Sequence, residues 1–290
     1  MKSLDDFYKQ SAKELNCRGK LLSLSESQIM GIINATPDSF SDGGEHFEFD
    51  KAIEKALLMI EQGASIIDVG GETTKPKSLQ VDKDEEIRRT IPIITELRNH
   101  NKDIVISIDT NKSSVAKIAL ESGADIVNDI SSLRFDASLA ELLADYPDVP
   151  VVLMHMQGTP ETMQTNPQYN DVIDDLKSFF DERIAFCISK GISKDRLIID
   201  PGIGFGKRLE HNLEILRRID EFHSFSVPVL VGASRKSFIK GIYDSQPQER
   251  LNGSLATTAL AFYNGIQIIR VHDVLEHHQL LVTLKAIYKQ

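Results

Sequence analysis

The chain has 290 residues, of which 41% are hydrophobic and 26% charged, an ordinary composition for a soluble globular protein with a full core. Lysine plus arginine number 33 and aspartate plus glutamate 43, a net charge of −10; nucleic-acid binding would need a local basic stripe, and the positive residues are instead scattered among acids. No apolar run approaches the roughly 20 residues of a membrane span.

The opening MKSLDDFYKQ is polar and acidic and does not read as a secretion signal. From residue 29 a rhythm sets in. Short runs rich in Ile, Val and Leu fall at 29–33, 65–69, 104–108, 126–127, 151–154, 197–199, 229–231 and 268–271. Runs this short and this apolar suit strands of a buried parallel sheet. Amphipathic stretches lie between them. The segment 50–62 has apolar residues at 53, 56, 57 and 60, one face of a helix. A second helix is predicted to start at Asp82, with Glu85 completing a capping box. Others are predicted at 113–122, 138–146, about 170–190, 210–222, 249–263 and 273–288. Eight strands, each followed by a helix, predict a (β/α)8 barrel spanning 29–290, with residues 1–28 as a lead-in covering its bottom. A doubly wound open sheet is the competing architecture.

In such a barrel the C-terminal strand ends share one face, and that face carries the site. Here each strand hands over to polar residues: Asn34; Asp68 with Glu72; Asp109; Asn128 with Asp129; His155; Asp200; Ser234, Arg235 and Lys236; and Arg270 with His272 and Asp273. A polar residue after a strand can be a mere cap or turn former. A full ring of them predicts a cavity. Carboxylates at Asp109 and Asp200 with the Asn128 amide suit a flat heterocycle bearing several N–H donors. Lys236, Arg270 and His272 suit an anion such as a phosphate. Met154 and Phe205 can offer apolar contact to a planar ring. The long loops 34–44 and 70–77, with glycines and Pro37 or Pro76, read as lids.

Other motifs fail. Gly202-Ile-Gly-Phe-Gly206 does not match the dinucleotide fingerprint, and Arg208 breaks a Walker pattern, although the loop's amides could face a ligand. His277 and His278 are adjacent on a helix and diverge. Ser234 has no obvious His and acid partner for a hydrolytic triad. Cys17 and Cys187, in no metal or redox spacing, fit reduced thiols in a cytoplasmic protein.

Eight segments in order at the predicted strand ends resemble the dihydropteroate synthase family. They are Gly31-Ile-Ile-Asn-Ala-Thr-Pro-Asp-Ser-Phe-Ser-Asp-Gly-Gly44, Ile67-Asp-Val-Gly-Gly-Glu-Thr-Thr-Lys-Pro76, Ser107-Ile-Asp-Thr110, Asn128-Asp-Ile130, Leu153-Met-His-Met-Gln-Gly158, Asp200-Pro-Gly-Ile-Gly-Phe-Gly-Lys207, Val231-Gly-Ala-Ser-Arg-Lys-Ser237 and Arg270-Val-His-Asp-Val274. The resemblance implies a TIM barrel that joins 6-hydroxymethyl-7,8-dihydropterin diphosphate to 4-aminobenzoate, releasing diphosphate. It implies that Asp109, Asn128, Asp200 and Lys236 hold the pterin, with Met154 and Phe205 nearby and Arg270 within reach. Arg270 and His272 would bind the diphosphate, with Thr74 beside the reacting groups. Asn34 would help hold a Mg²⁺ ion. Phe40, Thr74, Lys75, Pro76, Ser234 and Lys236 would shape the aminobenzoate site. Asp109, Asp200, Lys236 and Arg270 would carry the catalysis. The family commonly forms homodimers through outer helices.

The family usually has arginine where this chain has Lys75. Arginine can make a two-pronged contact that lysine cannot. Two alternatives share the pterin cradle: a folate-dependent methyltransferase serving a corrinoid, and a non-catalytic paralogue. The first would not need the 34–44 motif or the Ser234/Lys236 and Arg270/His272 set.

Overall fold

The structure is a computed structural model that describes Tyr8 and residues 13–35, 44–73 and 81–288. A two-stranded antiparallel hairpin comes first, β1 (Glu14–Cys17) and β2 (Lys20–Ser23). Eight parallel strands follow: β3 (Gln28–Asn34), β4 (Ile66–Gly70), β5 (Val105–Asp109), β6 (Ile126–Asp129), β7 (Val151–Met154), β8 (Leu197–Asp200), β9 (Leu230–Val231) and β10 (Ile268–Val271). Their order is β8-β7-β6-β5-β4-β3-β10-β9, and a parallel bridge between Ile199 and Val229 joins the two ends. The sheet is therefore closed, and the open-sheet alternative fails.

The helices are α1 (Gly44–Glu61), α2 (Lys83–His100), α3 (Ser113–Glu121), α4 (Ala137–Ala144), α5 (Val172–Ser189), α6 (Leu209–Arg217), α7 (Leu251–Tyr263) and α8 (Val274–Tyr288). Local chemistry sets their ends. Asp136 and Asp171 accept from the first-turn amides of α4 and α5. Asp82 caps α2 through Asp84 N at 2.9 Å. The predicted box is not completed, because Glu85 turns to Arg88 and Arg89 at 2.7 and 2.6 Å. The predicted helix 210–222 breaks at Arg217 and continues as a 3-10 segment, Ile219–Phe225, which buries Ile219, Phe222 and Phe225.

Alternation along each strand divides the side chains. One set, Ile29, Ile67, Ile106, Val127, Val151, Leu197, Val231 and Ile269, belongs to the large cluster that the helices cover. The other set, Met30, Ile66, Val105, Ile126, Val152, Ile198, Leu230 and Ile268, one from each strand, fills the barrel interior. Leu15, Cys17, Leu22 and Leu24 of the hairpin pack on this inner set. The described residues of this segment thus lie against the lower end of the barrel. Lys20 holds the hairpin there by an ion pair to the buried Asp125 at 2.6 Å, which Arg98 also binds at 2.6 Å. Arg18 donates to the carbonyls of Leu120 and Ala124 near the end of α3.

Candidate active site

Two residues beyond five of the eight inner apolar positions, the same parity carries the chemistry: Asp68 after Ile66, Asn128 after Ile126, Met154 after Val152, Asp200 after Ile198 and Arg270 after Ile268. One step further come Asn34, Asp109, Ser234 and His272 on their strands or strand extensions. These side chains enclose the upper end of the barrel. A cavity of about 400 Å³ opens there, lined by Asn34, Asp109, Phe205, Ser234, Lys236, Arg270 and His272 among the expected residues. Asn128, Met154 and Asp200 are buried beside it.

Arg270 is the hub. It donates from Nε to Asp68 Oδ2 at 2.7 Å and from Nη2 to Asp109 Oδ2 at 2.7 Å. Asn128 Nδ2 donates to the same Asp68 oxygen at 3.2 Å. Asp68 is fully buried, and its Oδ1 has no hydrogen-bond partner. Burial raises Asp109 above the usual carboxylate range, opposed by Arg270 and reinforced by Asp68. Asp200, also raised by burial, accepts from Gly202 N at 2.7 Å. Lys236 lies over the Phe205 ring, 4.4 Å from its centroid, and donates to the Ile203 carbonyl. Burial brings its ammonium down to about 8, against the pull of Asp200.

Several expectations need correction. Asp129 and His155 do not face the cavity, because each lies one residue past an inward position and so points outward. Asp129 accepts from Ser131 N and Leu133 N in a turn, and His155 packs edge-on against Phe179. Asp273 pairs with Arg235 at 2.8 Å. His272 brings N–H capacity rather than charge: burial, then Arg270, Lys55 and Arg235, hold its imidazole down to about 3. It also sits 3.1 Å from Ser234 Oγ, a partner that spacing did not disclose. This pair is no triad, since the neighbouring acid is engaged by Arg235 and Ser234 Oγ accepts from His272 N at 3.2 Å. The amides of Gly202 and Gly204 are satisfied by Asp200 and Asn212, so they do not face a ligand. Phe40, Thr74, Lys75 and Pro76 lie outside the described residues.

Sequence reasoning placed Asp68 and Glu72 in the ring of strand-end residues without a specific binding role, and did not single out Met163 or Arg250. Asp68 was legible by parity, two residues after the inward Ile66. Met163 reaches the cavity from a turn with no periodicity, and Arg250 from the 3-10 segment Pro247–Arg250 that leads into α7. Glu72, on the cavity wall, is tied by Lys112 at 2.5 Å, and Lys112 also binds the buried Glu86 at 2.5 Å. The root of the second loop is therefore anchored to α2. Lys112→Met would strand Glu86 and is expected to cost about 3 kcal/mol of stability. Urea unfolding of the variant checks this, and an unchanged midpoint would contradict it.

The comparisons with known proteins agree with this geometry. The family model described as pterin binding enzyme matches residues 30–272. The dihydropteroate synthase of Escherichia coli K12 is 46% identical over 94% of this chain and 96% of its own. That match decides the family. The chain belongs to the dihydropteroate synthases. A Bacillus subtilis dihydropteroate synthase is 42% identical over 85% of this chain and 83% of its own. Among solved structures, Yersinia pestis dihydropteroate synthase with a sulfonamide drug superposes with a TM-score of 0.90 at 42% identity, covering 96% of this chain and 100% of that one. The Xanthomonas albilineans enzyme with 4-aminobenzoic acid gives a TM-score of 0.90 at 39% identity, covering 97% of this chain and 100% of that one. Of the residues that resemblance to the dihydropteroate synthases marks, Asn34, Asp109, Phe205, Ser234, Lys236, Arg270 and His272 thus meet at one cavity.

Proposed function

We infer that the chain carries dihydropteroate synthase activity: it joins 6-hydroxymethyl-7,8-dihydropterin diphosphate to 4-aminobenzoate, giving 7,8-dihydropteroate and diphosphate. The observation that carries this reading is the Asp68–Arg270–Asp109 constellation beside Asn128, Asp200 and Lys236 at the mouth of the barrel. It offers acceptors to pterin N–H groups and cations to the leaving diphosphate.

The assignments to individual groups are proposals. Asn128 and Asp200 hold the pterin ring edge, Met154 and Phe205 flank it, and Lys236 donates to it. Arg270 stands between ring and diphosphate, with His272 donating an N–H to the anion. As the methylene C–O bond breaks, its electron pair leaves with the diphosphate and positive charge spreads over the pterin. Asp109 and Asp200, already in place, stabilise that charge without reorganisation. The aryl amine then attacks the methylene carbon and loses a proton. Ser234 and Lys236, with Phe40, Thr74, Lys75 and Pro76 of the two loops, shape the aminobenzoate site, and the loops exclude water from the cation.

Asn34 can offer one neutral oxygen to a Mg²⁺ ion. Among the described residues no cluster of three His, Cys, Asp or Glu could hold a metal. The chemistry therefore fits an ion carried mainly by diphosphate oxygens and water, which would neutralise the leaving group when bound. We also propose a homodimer through outer helices. Exposed Tyr263, Leu275 and Val282 on α7 and α8 are compatible with such a face. A cytoplasmic location fits the free, buried Cys17 and Cys187. Residues 1–28 form the lead-in and 29–290 the catalytic barrel.

Lys75→Arg is expected to change the KM for aminobenzoate modestly, with turnover retained. Steady-state kinetics at varied aminobenzoate tests this, and complete loss of activity would contradict it. The functional reading itself is tested by product formation from both substrates.

A further inference from the structure

We propose that Lys207 is a positioning residue that acts through the glycine loop to set Lys236 and the pterin end of the cavity. The inference rests on the functional reading above. Lys207 does not line the cavity. It is buried, and its Nζ lies 2.9 Å from His155 Nδ1, 3.3 Å from the His155 carbonyl and 3.0 Å from the Phe205 carbonyl. Three acceptors match the three protons of an ammonium. Burial lowers the Lys207 ammonium well below the usual lysine range, opposed by Asp200; while it is charged, His155 Nδ1 accepts and the imidazole proton sits on Nε2.

This staple joins the loop after β8 to the end of β7. The two are pressed together without slack. A Cβ at Gly202 would lie 2.0 Å from the His155 carbonyl oxygen, and one at Gly206 2.8 Å from that of Gln157. The stapled loop supplies two contacts of the Lys236 ammonium, the Ile203 carbonyl and the face of Phe205. Tyr169 Oη also holds this loop, donating to the Gly206 carbonyl at 2.7 Å. Freeing the loop would therefore displace the Lys236 ammonium and the Phe205 ring together, and leave the Ser234 end untouched.

The test is steady-state kinetics on Lys207→Met, with Tyr169→Phe as a milder release of the same loop should the first variant fold poorly. A displacement of this kind is expected to raise the KM for pterin diphosphate about tenfold in Lys207→Met and about twofold in Tyr169→Phe, with a smaller rise in the KM for aminobenzoate, whose site shares Lys236 but not Phe205 with the displaced pair. Combining Lys207→Met with Phe205→Ala should add little to the larger single effect, because both remove one arrangement. Equal changes in kcat and both KM values, or fully additive effects, would overturn the inference and leave Lys207 a residue of the fold. If the unaltered chain made no dihydropteroate, the functional reading would fail and the inference with it. If it turned over normally while both variants kept their pterin KM, only the inference would fail.

Discussion

Asparagine in place of Asp109 is expected to slow condensation by roughly 10²–10³-fold while the protein stays folded. The substitution keeps shape and removes charge. Asp109 lines the cavity beside Arg270, where positive charge on the pterin would develop. The fold should tolerate the loss, since Arg270 keeps its pairing with Asp68 at 2.6 Å. The measurements are kcat at saturating levels of both substrates and the thermal midpoint of the purified variant. Near-normal turnover would remove the electrostatic role. A collapsed midpoint would show that Asp109 serves the fold instead.

Arg270→Met should have the opposite signature, striking stability and activity together. Asp68 has no solvent exposure, and among the described residues the Asn128 amide, at 3.2 Å, is its one side-chain hydrogen-bond partner besides Arg270. Removing the guanidinium leaves a buried carboxylate nearly alone, which costs about 3–5 kcal/mol. Turnover should fall below detection, because the cation proposed to bind the diphosphate is gone as well. The double variant Asp68→Asn with Arg270→Met separates the two effects. It removes the stranded charge, so it should recover most of the stability and none of the activity. Urea denaturation of the parent and both variants reads this directly. A single variant as stable as the parent would mean that Asp68 does not depend on Arg270.

The barrel was legible because each strand is short and apolar and each intervening segment has helical spacing. The candidate site was legible in its membership but less so in its pairing. Each strand end presented one or more polar residues, and alternation decided which faced inward: Asn128 but not Asp129, and Asp200 but not His155, which stands one residue past the inward Met154. That parity is written in the sequence, and applied strictly it would also have singled out Asp68. What no local pattern could give is the set of contacts among strands far apart in the chain. Arg270 meets carboxylates 202 and 161 residues away, and these leave it a paired cation rather than a free one. The same holds in part for His272, which is kept neutral by burial, by Arg270 two residues before it, and by Lys55 and Arg235 from elsewhere in the chain. The family motifs pointed to a basic end of the site. In three dimensions its arginines are paired, Arg270 with Asp68 and Asp109 and Arg235 with Asp273.

The most direct test of this account is an assay of diphosphate release with Mg²⁺ present, in which pterin diphosphate and 4-aminobenzoate are supplied separately and together. Release only when both are present, with 7,8-dihydropteroate formed one for one, is the expected result. Release from the pterin substrate alone, or no release with both, would contradict it.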